Sequence, residues 1–324
     1  MTALRGGTEV RHYPEVVTRR TNLTLLTALA AAFVSGVLSL WVGEGRAWLV
    51  TWAHGAAGFW VVLLIRWKLP IVRRGLARRP DAGGSVVTGV VAVGMLVTGI
   101  AHTLGVHDVG PVTMLGLHLA LALVLAPLVL WHVVTHPQRP RRGDLTRAGF
   151  LRVAGVAVAA VAVKGVFEGT VGSSRAATGS LRQAEPAPTS WVDDSTPEVN
   201  ASEWDGRLAG LPSRSMTCAL DCTSGWYSVN RWTGVLLADV LGPLPAGTRS
   251  VIVRSHTGYS RRFDAGEVAG LLLATQMDGR PLAPDHGAPA RLVAPGRRGF
   301  WWVKWVSSVE PSSLPSWWQL PFPI

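Results

Sequence analysis

Cysteine is nearly absent. The 324 residues hold two, Cys218 and Cys222, too few for the disulfide framework that staples small secreted domains. If either matters, it matters chemically. Charge is scarce too: 16% of residues are charged and mean hydropathy is +0.28, too apolar for two ordinary soluble domains, so membrane segments are expected. Lysine is the rarest basic residue, with Lys68, Lys164 and Lys304 among 31 Lys and Arg, and most of the Arg falls before residue 153. The net charge of +11 sits in runs that flank apolar stretches and lack interleaved aromatics. That pattern signals membrane topology and argues against nucleic acid as a partner.

Four apolar runs, at about 22–43, 48–67, 84–106 and 111–135, are each near the ~20 residues needed to cross a bilayer, and a weaker fifth covers about 149–167. Arg5, Arg11, Arg19 and Arg20 precede the first, Arg66, Lys68, Arg73, Arg74, Arg78 and Arg79 follow the second, and Arg139, Arg141, Arg142 and Arg147 follow the fourth. The loops around Glu44 and Asp108 lack such an excess. The positive-inside rule then places the N-terminus in the cytoplasm and, after five crossings, the C-terminal part outside a bacterial plasma membrane. The fifth run opens with Thr146-Arg147-Ala148-Gly149-Phe150-Leu151-Arg152, which resembles a twin-arginine export signal with Ala148 in place of the second Arg. An ordinary stop-transfer helix is the alternative. No small-x-small cleavage site follows Val163, so the span is expected to remain as an anchor.

His54, His102, His118 and His132 fall in or near these runs, where an ionisable or metal-binding side chain is a functional candidate because hydrocarbon disfavours it. His118 and His132 return to nearly the same helix face, roughly 21 Å apart along the axis. With the second and fourth spans both running inward, His54 and His118 lie at similar depth and are candidate axial ligands of one haem b. Gly55 and Gly58 are positioned to let a macrocycle approach. Bis-imidazole ligation suits electron transfer, because no axial position stays open for substrate. His102 is a reserve ligand; His132 lacks a partner for a second, inner haem, and His12 is poorly placed. For His107 and His136, at span ends, an interfacial role is expected. The arrangement over 20–136 resembles the b-type cytochrome membrane subunits of formate dehydrogenases and hydrogenases, without their first-span His.

From Ser173 to about Glu203 the chain is rich in Pro, Ser and Thr and reads as an extended linker, partly ordered by Trp191 and Trp204. After Leu211, short β-rich runs alternate with Gly/Pro turns, interrupted by two helical readings, VLLADVLG and GEVAGLLLATQ. The expected architecture is multi-domain: an all-α bundle of five spans followed by an α+β, mainly β, domain. The boundaries are 1–21 (cytoplasmic segment), 22–136 (four spans), 137–168 (loop and fifth span), 169–204 (linker) and 205–324 (C-terminal domain).

Within that domain Cys222, Trp226, Trp232 and Gly234 form C-x3-W-x5-W-x-G, and His286 to Trp305 contain H-G-x-P-x-R-x3-P-G-x2-G-x3-V-K-W. These segments resemble the molybdenum-ligand and pterin-binding signatures of the sulfite oxidase superfamily, the first being most similar to the bacterial periplasmic methionine sulfoxide reductase catalytic subunit. The resemblance implies a molybdenum–molybdopterin cofactor with Cys222 as thiolate ligand, a soft anionic sulfur suited to a redox metal. It assigns His286, Arg291 and Lys304 to the cofactor, where fixed cations suit a phosphate, with Trp226 beside them. Gly287, Gly296 and Gly299 are expected to admit close backbone approach, and Arg297 and Arg298 to be solvated. A Cys218–Cys222 disulfide is excluded if both lie on one strand, since side chains four apart are over ~10 Å distant. Cys218 is expected to be a small buried apolar residue.

Two departures from the family pattern stand out. The stretch before Cys222 is short, and Thr223-Ser224-Gly225 follows the Cys where sulfite oxidases carry a basic G-N-R-R type sequence. The leading expectation is therefore a membrane oxidoreductase that passes electrons from quinol to a small S-oxide, N-oxide or protein methionine sulfoxide. The alternatives are a sulfite-oxidising dehydrogenase feeding quinone, and an electron carrier or assembly protein without a cofactor in its C-terminal domain.

Overall fold

The computed structural model describes residues 9–42, 47–78, 83–106, 108–109, 112–141, 144, 146–171, 176, 178–186 and 196–320. The chain divides into two units, Met1–Leu38 with Leu49–Ser173, and Ser39–Trp48 with Ser174–Ile324.

Five helices make up the first unit: α1 (Glu9–Trp41), α2 (Ala47–Arg78), α3 (Gly83–Thr103), α4 (Met114–Thr135) and α5 (Arg147–Val171). All five are long and apolar enough to cross a membrane. α2 outruns the expected apolar stretch because Arg66, Lys68, Arg73 and Arg74 are good helix formers and continue the same helix. Ala28, Val61 and Leu64 form a buried cluster joined by Leu25, Leu29, Trp60, Leu96 and Val156, so α1, α2, α3 and α5 meet there. Hydroxyls on these apolar helices donate back one turn, as Thr27 does to Leu23 O (3.0 Å) and Thr98 to Gly94 O (3.0 Å). Between α3 and α4, β1 (Asp108–Val109) and β2 (Val112–Thr113) pair antiparallel, and the Thr113 hydroxyl caps α4 by accepting from Gly116 N at 3.0 Å. On the loop after α4, Asp144 accepts two bonds from Arg19 (2.7 and 2.8 Å), which hold its carboxyl down at a pKa of about 2.

The second unit is β-rich. Its elements are β3 (Leu181–Arg182), α6 (Asp205–Leu208), β4 (Ser213–Asp221), β5 (Trp226–Leu236), α7 (Leu237–Leu241), β6 (Ser250–Ser255), β7 (Ser260–Asp264), β8 (Leu272–Met277), β9 (Arg280–Pro281), β10 (Arg291–Val293) and β11 (Val306–Ser312). One sheet runs β10-β8-β5-β3, with β4 also on β5 and β9 on β8; a second runs β11-β6-β7. Strand β5 is the spine: β4 lines its length, β8 pairs its C-terminal half and β3 pairs parallel at Trp226–Tyr227. The core gathers Trp232, Trp302, Phe263, Leu272, Leu273, Leu292, Val251 and Val253, all nearly inaccessible.

Two expectations change here. GEVAGLLLATQ is a 3-10 turn (Ala265–Gly270) followed by strand β8, because Leu272, Leu273 and Ala274 are buried on both faces between β5 and β10. Part of the linker is not a linker: 178–186 belongs to the second unit through β3. Trp204 does order the chain, at 1% exposed with its indole N–H on Val306 O (2.6 Å), whereas Trp191 lies outside the described residues.

Candidate functional site

Cys222 lies directly after β4, at the mouth of the β4–β5 hairpin. The turn closes by Cys222 N donating to Trp226 O (2.8 Å) and Gly225 N to Cys222 O (3.1 Å), with Gly225 at φ 95°, a left-handed conformation that favours glycine. A backbone N–H, that of Ser224, points at Cys222 Sγ from 3.5 Å, a donor suited to an anionic sulfur. Gly299 passes behind the turn so closely that a Cβ there would sit 3.0 Å from Cys222 Cα. The expected glycine approach is therefore a backbone-on-backbone contact with the ligand turn.

His286, Arg291 and Lys304 form a connected group. Arg291 is 5% exposed, donates to His286 O at 3.1 Å, and lies over the Trp232 and Trp302 rings at 5.5 and 6.0 Å. Burial pushes its pKa down to about 10 while the Cys222 sulfur acts in the opposite sense, so it is cationic at neutral pH and within electrostatic reach of that sulfur. Lys304 Nζ donates to Asp285 O (2.9 Å), and His286 holds Asp285 Oδ1 at 2.9 Å through Nδ1 and Pro186 O at 3.1 Å through Nε2. Both His286 partners only accept, so both bonds exist together when each ring nitrogen carries a proton. The same contact holds the Asp285 carboxyl below its ordinary pKa. Gly287 is required twice over, by φ 106° and by Lys304 Cβ standing 3.0 Å from where its own Cβ would be. Trp226 Nε1, Trp232 Nε1 and Arg291 Nε are buried without a hydrogen-bond partner among the described residues. Donors left open beside a cation suit an acceptor-rich, anionic group.

The expectation of solvated arginines fails. Arg298 is 4% exposed; it pairs with Asp221 at 3.0 Å and donates to Cys222 O at 3.1 Å. Asp221 also accepts from Ser180 Oγ (2.6 Å) and from the Thr178 hydroxyl. A charge taken from water needs such partners, and here they fix the residue next to Cys222. Arg297 pairs with Glu267. Cys218 sits opposite Asn230 in the β4–β5 ladder, half-buried rather than buried, and neither cysteine is in a disulfide.

In the first unit, His54 and His118 come together with ring centroids 5.9 Å apart and planes at 86°. Each Nδ1 bonds a carbonyl on a neighbouring helix, His54 to Ala32 O and His118 to Met95 O, both at 2.8 Å. A carbonyl only accepts, so the proton sits on Nδ1 and the Nε2 lone pair is left for a ligand. Gly36 faces the His54 ring and Gly99 the His118 ring; a Cβ at either would lie 3.0 or 2.9 Å from ring carbon. Gly55 does not offer the expected opening, because Lys164 Cε lies 2.6 Å from its Cβ position, whereas Gly58 has open space. His102 is in the last turn of α3, and His132 stacks on His136 at 4.9 Å. The side chains of His12 and His107 lie outside the described residues.

Asp221, Ser180, Thr178, Gly36 and Gly99 were not singled out by sequence, and Arg298 was expected there to be solvated. For Arg298 a signal existed: a doubled Arg inside a glycine-flanked, tryptophan-rich segment is an unusual setting for two solvated cations.

A family model described as Oxidoreductase molybdopterin binding domain matches residues 199–317. Mitochondrial sulfite oxidase from Macaca fascicularis is 36% identical over 118 residues, covering 31% of this chain and 21% of that protein. Nitrate reductase [NADPH] from Fusarium oxysporum is 32% identical over 96 residues, 26% of this chain and 11% of that one. The protein-methionine-sulfoxide reductase catalytic subunit MsrP of Xanthomonas campestris is 27% identical over 129 residues, 33% and 39% of the two chains. The chain thus spans about a fifth of the length of the sulfite oxidase it matches. Residues 199–317 thus match the model of a molybdopterin-binding oxidoreductase domain and are similar there to sulfite oxidase and to MsrP.

Proposed function

We propose that the chain is a membrane-bound oxidoreductase that reduces a neutral S-oxide or N-oxide, small or carried on a protein methionine, at a molybdenum–molybdopterin group in its C-terminal unit. His54 and His118 would hold a haem b, which would supply one-electron transfer from the quinol pool, in a bacterial plasma membrane. The N-terminus is cytoplasmic and the C-terminal unit extracytoplasmic. When bound, the molybdenum group supplies two-electron oxygen-atom transfer. The overall change balances: one sulfoxide and one quinol give one sulfide, one quinone and one water, the two electrons and two protons coming from the quinol and the water oxygen from the sulfoxide.

The observation that carries this reading is the Cys222 turn. It places a sulfur within electrostatic reach of the buried Arg291 guanidinium, and Thr223-Ser224-Gly225 adds no charge of its own. Cys222 supplies the thiolate ligand and Ser224 N–H stabilises its negative charge. Arg291 and Lys304 would hold the anionic end of the cofactor, with His286 fixed beside them by Asp285 and Pro186, and the group's acceptors would satisfy the open Nε donors of Arg291, Trp226 and Trp232. A turn whose own residues carry no cation, and whose neighbour Arg298 is neutralised by Asp221, favours a neutral oxide over an oxyanion. The haem reading is supported by the two Nδ1-tethered imidazoles: metal–imidazole bonds of about 2 Å place ring centroids on opposite sides of one ion roughly 6 Å apart, close to the 5.9 Å spacing.

A second reading, oxidation of sulfite with electrons passed to quinone, is favoured by the higher identity to sulfite oxidase than to the sulfoxide reductase subunit. One experiment separates them. Purified protein is assayed for molybdenum, pterin and haem, reduced, and mixed with methionine sulfoxide or an amine N-oxide; bleaching of the reduced haem bands is expected. Reduction of oxidised haem by sulfite instead reverses the direction. Absence of molybdenum removes both enzyme readings and leaves the carrier or assembly role.

A further inference from the structure

Residues 178–186 lie outside the region matched by the family model, which begins at 199. They nevertheless touch the candidate site at both ends. At the sulfur end, Ser180 Oγ (2.6 Å) and the Thr178 hydroxyl donate to Asp221, the residue before Cys222, and Arg298 joins Asp221 to Cys222 O. In the middle, Leu181 N donates to Gly225 O (2.9 Å) and Gln183 N to Tyr227 O (2.8 Å), which ties the segment to the ligand turn and to β5. At the far end, Pro186 O accepts from His286 Nε2 at 3.1 Å.

Burial marks the anchor points. Ser180 is 1% exposed and Pro186 is buried, while Arg182 to Glu185 between them are exposed. A chain that is only a tether has no reason to bury its hydroxyl on a buried carboxylate, since burying polar groups costs free energy unless they are paired. The pairing here occurs at the edge of β5 that β8 leaves uncovered, beside Trp226, whose buried indole N–H is open.

We infer that 178–186 is a wall of the molybdopterin site, closing it between the Cys222 turn and His286. Ser180, Thr178, Asp221 and Arg298 are positioning residues: they hold the Cys222 turn and do not touch substrate. This inference rests on the molybdenum–pterin reading.

Full-length protein made in a normal host and in a host that cannot synthesise molybdopterin is compared by hydrogen–deuterium exchange. The amides of 178–186 are expected to exchange at least tenfold more slowly in the loaded protein. Equal exchange in two samples of proven different pterin content overturns the wall and leaves the molybdenum reading standing. A normal-host protein that contains no pterin overturns both. In parallel, the near-isosteric Thr178→Val/Ser180→Ala pair is expected to lower pterin and molybdenum per polypeptide several-fold and to alter the Mo(V) electron paramagnetic resonance signal of what remains. The conservative Thr178→Ser/Ser180→Thr pair is expected to restore both. Wild-type loading and an unchanged Mo(V) signal in the Val/Ala pair overturn the positioning role.

Discussion

Replacing Arg298 by Met tests whether the Cys222 turn is held from behind. The guanidinium and the Asp221 carboxylate stand 3.0 Å apart with side chains 5% and 8% exposed, so removing one partner strands a buried charge. Such losses cost about 3–5 kcal/mol. Ser180 and Thr178 still donate to Asp221, which argues for the lower end, and loss of the bond to Cys222 O adds about 1 kcal/mol. A total of about 3–4 kcal/mol in a domain of this size lowers its melting temperature by roughly 10 °C. The assay is near-ultraviolet circular dichroism of the purified full chain, which reports on packed tryptophans such as Trp232 and Trp302. Arg298→Met/Asp221→Asn, which removes both charges and leaves an amide for the two hydroxyls, is expected to recover most of the loss. A single variant melting within ~3 °C of wild type, or a double variant no better than the sum of its singles, refutes the reasoning.

Further outcomes follow from individual residues. Cys222→Ser is expected to abolish turnover while leaving any haem absorption intact, and His118→Ala to remove haem absorption while molybdenum content stays; loss of both groups in either variant contradicts the division between the units. Gly299→Ala places a methyl 3.0 Å from Cys222 Cα and 3.2 Å from Asp221 O, backbone atoms on both counts, and is expected to cost about 1–3 kcal/mol with a disturbed Mo(V) signal; a silent substitution shows that the turn is free to move. Asp144 has a depressed carboxyl pKa, so the stability from its Arg19 contact is full above the ordinary value of 3.8 and lost as pH falls through about 2. Melting temperatures of wild type and Asp144→Asn should therefore differ at neutral pH and converge near pH 2, and a constant difference denies the contact any part in stability.

The grouping of Cys222, His286, Arg291 and Lys304 in one β-rich unit was legible because their types and spacings are rare. Cys222 follows a strand, and His286, Arg291 and Lys304 fall where two glycine turns bring them together. Matching positions along the second and fourth apolar runs sufficed to pair His54 with His118. Strand β8 was misread because a strand buried on both faces loses its alternation and looks like a short apolar helix. Arg298 was misread because its partner Asp221 is remote in sequence, and periodicity carries no information about that distance. Ser180 lay hidden in a stretch whose Pro, Ser and Thr content spells linker, and a two-residue strand leaves no pattern to find. Gly36 and Gly99 vanish among the other small residues of apolar helices, where composition does not say which glycine faces a ring.

Gly234 entered as the last letter of the C-x3-W-x5-W-x-G segment, yet a Cβ there would sit 2.0 Å from Leu273 O, at the register shift between β5 and β8. That contact concerns the seam of two strands and not the Cys222 turn. The letters of this signature therefore answer to different pressures and are free to part company over time. A descendant that lost Cys222 keeps every reason to retain Gly234, and so inherits a recognisable signature and an intact sheet with no thiolate to offer. In such lineages the glycine records ancestry, and only the cysteine records an occupation.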